Sequence, residues 1–139
     1  MAPRWPTARY VNGLVMFEHE RYREAVASFR DLSVPWVGMG IETLLALSLH
    51  ALGEEEEARS LSQVVMDGGD PFATATLTAA LDGLDEGYCL LDNLNTWSDW
   101  STLAFLHHVD RVWDPQGNDP RYQATRRRIN DFWGLPPED

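Results

Sequence analysis

The sequence predicts an all-α protein: antiparallel helical hairpins stacked as a short superhelix with a C-terminal capping helix. Three observations carry that expectation. Every apolar stripe in the 139 residues recurs at helical spacing, and none alternates with period two. The breaks between stripes are mostly short, which forces successive helices antiparallel. Small residues coincide when the first two hairpins are superposed at a shift of 33 residues, the mark of stacked units.

Pro6 and Thr7 open a first helix, lined by Tyr10, Leu14 and Phe17, that runs to about Glu20; proline is tolerated there because first-turn amides lack intrahelical partners. After an interruption of a residue or two, Tyr22, Ala25, Val26, Phe29 and Leu32 form a second stripe. Ser33 to Gly40, with Pro35, Gly38 and Gly40, breaks the pattern. Ile41, Leu44, Leu45, Ser48, Leu49 and Leu52 make a third helix, ended by Gly53 where a left-handed residue is commonly needed. Glu54 to Glu57 crowd the first turn of the fourth, where the positive end of the macrodipole favours carboxylates. Ala58, Leu61 and Val65 are its inner face.

Met66 to Pro71 is dense turn chemistry, and a fifth helix from about Phe72 to Leu81 turns Ala73, Leu77, Ala80 and Leu81 inward. A sixth, from about Asp85 to Asn95, carries Gly87, Leu90, Leu91 and Leu94. A seventh is expected over Ser98 to His108, with Trp100, Leu103, Ala104 and His107 on one side. Val109 to Asn118, containing Pro115 and Gly117, reads as loop. Asp119 then serves as N-cap before Pro120, and the last helix reaches about Trp133, stopped by Gly134, Pro136 and Pro137.

Composition narrows the chemistry. With 44% hydrophobic and 24% charged residues the chain can bury a core, and its length suits one domain over residues 1–139. All eleven cationic residues are Arg, so a Schiff-base lysine, a phosphate-loop lysine and a lysine general base are excluded. A net charge of −11 argues against nucleic acid and anionic membranes and favours basic or neutral partners. The acidic bias also suits a GC-rich genome or a salt-adapted cytoplasm. A single Cys, Cys89, makes no internal disulfide, and a reducing, cytoplasmic address is the expectation. No signal-peptide core and no apolar run of about 20 residues is present.

The first unit reads Gly13-x3-Phe17-x4-Tyr22-x-Glu24-Ala25-x3-Phe29. It resembles the tetratricopeptide repeat (TPR): a small residue in helix A, an aromatic before the turn, then Tyr-x-Glu-Ala-x3-aromatic opening helix B. The second keeps Ala46, Gly53, Glu57 and Ala58, has Ser62 for the aromatic, and closes at Asp70-Pro71. In the third, Gly87 stands where the family has Ala, 29 residues after Ala58, one helical turn short of the usual spacing. Val112-Trp-Asp-Pro115 through Tyr122-Gln-Ala-x4-Ile129 is similar to the segment found after such repeats in bacterial regulators, cyclases and kinases. The resemblance places repeats at about 8–37, 41–70 and 71–96 and a closing segment at 97–135, with Trp113 to Trp133 covering the array's end.

Candidate chemistry is sparse. His107-His108-x-Asp110 is the densest set of metal-ligand types, yet adjacent helical residues diverge by roughly 100 degrees and do not readily share one ion. Cys89 has no neighbouring His or cation in the sequence to lower its pKa and reads as a small buried hydrophobe. The run Glu54 to Glu57 reads as a solvated helix start, and Arg126-Arg127-Arg128 as partners for the acidic body. Most of the six Trp should pack, with Trp5 and Trp36 the exposed ones. No nucleophile–base set, phosphate loop or metal cluster emerges. No catalytic residue, metal site or cofactor is therefore assigned, and the chain is not expected to be an enzyme.

The resemblance implies that the A helices line a concave, peptide-binding face. In that register the partner-binding positions are Thr7, Tyr10, Leu14 and Phe17, then Thr43, Leu47 and His50, then Phe72 and Thr76, with Ala79 continuing the line. Tyr10, Leu14 and Phe17 have a second reading, as packing under the first turn. A terminal-carboxylate clamp is not supported, because Tyr10, Leu14, Thr43 and Leu47 occupy its places. The expected function is a protein–protein interaction or scaffold module that binds a protein or peptide segment, with self-association through exposed array ends. The alternative is a regulatory or ligand-sensing C-terminal tail of a larger signalling protein.

Overall fold

A computed structural model describes residues 6–30, 32 and 40–136, with backbone alone at Pro6, Thr7 and Trp100. The described residues form helices joined by turns and loops, with no strand: α1 (Pro6–Glu18), α2 (Tyr22–Phe29), α3 (Ile41–Ala51), α4 (Glu55–Asp67), α5 (Pro71–Leu81), α6 (Leu84–Leu91), α7 (Asp99–Leu103), α8 (Asp110–Trp113) and α9 (Pro120–Trp133). A π-helical turn, Ala104–His108, joins α7 to α8. The Ser33 to Gly40 break, apart from Gly40, and the exposure expected for Trp5 and Trp36 fall outside the described residues.

Successive helices pack as antiparallel pairs, α1 with α2, α3 with α4, and α5 with α6; the first pair stacks on the second mainly through α2 and α3, and the second on the third through α3 and α4 against α5. The sequence explains both contacts. Gly13 has no side chain, and the Phe29 ring of α2 fills the space; a Cβ there would lie 2.6 Å from Cε1. One unit later, Ala46 is fully buried and leaves no room for a ring, and the position equivalent to Phe29 is Ser62, whose hydroxyl donates to Ala58 O at 2.7 Å. In α5–α6 the approach is closer still, because a Cβ on Gly87 would sit 2.3 Å from Ala79 Cβ and 2.7 Å from its Cα. The short third unit thus brings two backbones together where only glycine fits. Helix α3, between two pairs, is buried on nearly every side from Ile41 to Leu49.

Two side-chain caps start helices, the second where the sequence indicates. Asp70 accepts from the Phe72 and Ala73 amides at 3.0 and 3.2 Å, with Pro71 next to it. Asp119 accepts from the Arg121 amide at 2.8 Å, with Pro120 in the first turn, and left-handed Gly134 (φ 69°) ends α9.

The closing segment departs most from expectation. Val109 N–H bonds to Ala104 O at 2.8 Å, one residue further back than in an α-helix, and this wider turn rotates the stripe. Ala104, Phe105 and Val109 are buried, whereas Leu103 and His107 are exposed, so the seventh-helix face is corrected. Residues 109–118 are not wholly loop either. Asp110–Trp113 is helical and Trp113 is completely buried, while Pro115 and Gly117 punctuate only the stretch between Trp113 and α9. Leu52 and Leu90, expected inside, are exposed, and Cys89 is an exposed thiol on the outer side of α6. Helices α2 and α6 stop short, at Phe29 and Leu91.

Aromatic rings hold this segment to the third pair. Trp97 packs edge-on against Phe72 at 5.7 Å and against Phe105 at 5.6 Å. Trp113 packs on Tyr88 at 4.9 Å, and the Tyr88 hydroxyl donates to Trp113 O at 2.8 Å. Helix α9 covers α6 in the same direction, pairing Arg121 with Asp85 at 2.6 Å and Arg128 with Asp92 at 3.0 Å. The Arg128 contact is the local ion pairing expected of the basic triplet, and Arg126 lies over the Tyr122 ring. No described helix is long and apolar enough to cross a membrane.

Candidate functional site

The C-terminal ends of α1, α3 and α5 meet residues 107–112 around one cavity of about 460 Å³. Phe17 and Glu18 come from α1, Leu47, His50 and Ala51 from α3, and Ala79 and Ala80 from α5. His107 to Val112 and Pro115 complete the wall, with Tyr22 and Leu84 at its edges. The same turn that carries Trp113 into the core swings residues 107–111 back toward the first hairpin, 90 positions earlier in the chain. There His108 Nδ1 pairs with the Glu18 carboxylate. One turn on, Arg111 lies 3.7 Å from Glu20.

The walls are largely apolar, but their polar groups are organised. His50 Nδ1 lies 2.6 Å from Glu55, the first residue of the next helix. Burial, reinforced by the charge of Glu20 and opposed by Arg111, raises the Tyr22 pKa above its ordinary value, so its phenol stays neutral at physiological pH. Burial, followed by the charge of Glu18, also raises the pKa of Tyr10. Among the described residues, no three His, Cys, Asp or Glu side chains converge as a metal site. His107 and His108 both border the cavity, with His108 held by Glu18.

Of the nine positions assigned to the concave face, three meet at the cavity, Phe17, Leu47 and His50, and Ala79, which continues that line, borders it with them. The others lie elsewhere. Tyr10 is 5% exposed and packs on Phe29 at 6.2 Å, inside the first hairpin. Leu14, Thr43 and Thr76 are buried, Thr76 donating to Phe72 O at 2.9 Å, and Phe72 is covered by Trp97. The Thr7 side chain is outside the described residues. Sequence reasoning missed Glu18, Ala51 and residues 107–112, because it had no signal that the closing segment returns to α1. The nearest such signal is His107-His108-x-Asp110, an unusually polar stretch beside buried Phe105 and Val109.

A second exposed feature lies at the array's end. Phe132, Trp133 and Leu135 are 45%, 41% and 52% exposed, and the Trp133 indole donates to Thr102 Oγ1 at 2.9 Å beside exposed Leu103. Compared with protein-family models, curated proteins and solved structures, the chain matches none.

Proposed function

We propose that the chain is a helical-repeat interaction module of tetratricopeptide type, of bacterial origin and cytoplasmic, that recognises a partner protein through the cavity where its first and last units meet. The cavity itself carries the reading. It has the size and apolar lining of a binding site, and it takes one anchor side chain and its neighbours rather than a long extended peptide. The recognition surface is therefore narrower than the whole concave face. Its centre is Phe17, Leu47 and His50, while Tyr10, Leu14, Thr43, Phe72 and Thr76 hold the frame.

Binding without chemistry fits the lining. No serine, threonine or cysteine stands among the cavity residues to serve as a nucleophile. The exposed Phe132, Trp133 and Leu135 supply a second contact surface, suited to scaffolding or self-association.

Peptide-display selection on the immobilised protein tests this directly. Enriched peptides should lose at least about tenfold in affinity to Ala51→Trp, which plugs the cavity mouth, and keep their affinity for Val64→Trp on the outer face. Equal binding to both variants would place recognition elsewhere. The volume, about 460 Å³, also falls in the range of small-molecule sites, which favours ligand sensing within a larger regulatory protein as the second reading. Selection that enriches no peptide, together with a metabolite that Ala51→Trp excludes, would support that reading instead.

A further inference from the structure

We infer that the cavity selects an organic cation with an apolar body, presented by a partner protein as an arginine or lysine side chain beside a hydrophobic residue. This rests on the cavity being the recognition site and adds the class of ligand it takes. Three features converge on a cation.

Two carboxylates border the cavity, Asp110 and Glu18, the latter paired with His108, against one guanidinium, Arg111, which lies 3.7 Å from Glu20. Phe17 and Tyr22, packed edge to face at 5.8 Å, both stand on the wall and offer aromatic surface to a cation. The net charge of −11 draws cations toward the chain and repels anions from long range.

An anion finds little here. Arg111 lies against Glu20, and His50 and His108 pair with Glu55 and Glu18. The apolar wall of Leu47, Ala51, Ala79 and Val109 disfavours a bare ion, because an unsolvated charge gains nothing from it, while the methylene stem or ring of an organic cation fills it.

NMR titration of the full chain tests the assignment, using phenyl probes that differ only in their polar end: 2-phenylethylammonium, 2-phenylethanol and phenylacetate. The tripeptide acetyl-Leu-Arg-Leu-amide is the fourth probe. The ammonium and the peptide should shift the resonances of Leu47, Ala51 and Val109. The ammonium should bind about tenfold more tightly than the alcohol or the acid, weaken as salt is added, and lose about fivefold on Asp110→Asn or Glu18→Gln. The charge comparison is made on the unaltered chain, so it stands even where a variant misfolds. Equal or tighter binding of phenylacetate or the alcohol at the same resonances would overturn the cation assignment and leave the cavity as a binding site. If all four probes leave those resonances unmoved, the cavity is not the recognition site at all. Binding of the ammonium without the peptide would overturn the protein-borne source and point to a free amine.

Discussion

The three regular hairpins and the closing segment hold themselves together by different means. From α1 to α6 the determining contacts are between small residues and whatever they admit: Gly13 with the Phe29 ring, Gly87 with the backbone at Ala79. From Trp97 to Tyr122 they are ring on ring, with Phe105 at the centre, touching Trp97, Trp113 and Tyr122. Spacing specifies the first kind of contact: a shift of 33 residues pairs Gly13 with Ala46, and Gly87 follows Ala58 at 29. The second kind depends on where a non-repeating chain happens to return, and no period announces it.

Trp113 is the sharpest point of that contrast. It is fully buried between Tyr88 and Phe105 and accepts the Tyr88 hydroxyl through its carbonyl, so Trp113→Ala should cost about 3–5 kcal/mol. Chemical denaturation would measure it. The loss should be accompanied by earlier hydrogen exchange in residues 104–113 than in α1–α4, since the regular pairs do not depend on that ring.

The two glycines rank second, with roles that look alike in sequence and differ in space. Gly87→Ala must push apart two backbones and should cost about 1–3 kcal/mol, the usual range for overpacking. Gly13→Ala meets only the Phe29 ring, a side chain able to turn, and should cost less. Thermal midpoints of the two variants decide it, and a reversed order would show that the first pair is the rigid one.

Asp119 contributes less, and in a pH-dependent way. Hydrogen bonds from the Arg121 side chain, opposed by partial burial and aided by the Arg121 amide, hold its carboxyl below the ordinary aspartate pKa. A depressed folded-state pKa means stability that is present above the unfolded value, about 3.9, and lost as pH falls through the folded one. Asp119→Ala should therefore cost about 1 kcal/mol near neutrality. The gap between the two proteins should hold from pH 7 to about 5 and close in stronger acid, which parallel urea titrations would show. Arg127→Ala, on an exposed position of α9, should change stability by less than about 0.5 kcal/mol and leave partner binding intact.

Much of the array is legible in the sequence. Helical stripes locate α1 to α6, and the Asp119-Pro120 cap marks the start of α9 to the residue, whereas the Asp70 cap lies inside a stretch that reads as turn. Gly13 and Gly87 stand out as small positions where helices meet. The closing segment is harder because one inserted π-helical turn moves the inward set from Leu103 and His107 to Phe105 and Val109. The pattern rule, applied at 3.6 residues per turn, then points to the wrong side. Phe17, Leu47 and His50 are legible at the site because they share the repeat's register. Glu18 and His108 are not, since their pairing spans 90 residues and depends on the curvature of the whole stack.

That pairing is also the quickest way to test how the molecule closes. If residues 107–111 fold back onto the first hairpin, the imidazole protons of His108 will show nuclear Overhauser contacts to the Glu18 side chain, and the side-chain protons of Arg111 to the Tyr22 ring, in the unliganded protein at neutral pH. Contacts from His108 confined to residues 104–112, with none to α1, would contradict the closure and remove the cavity along with it.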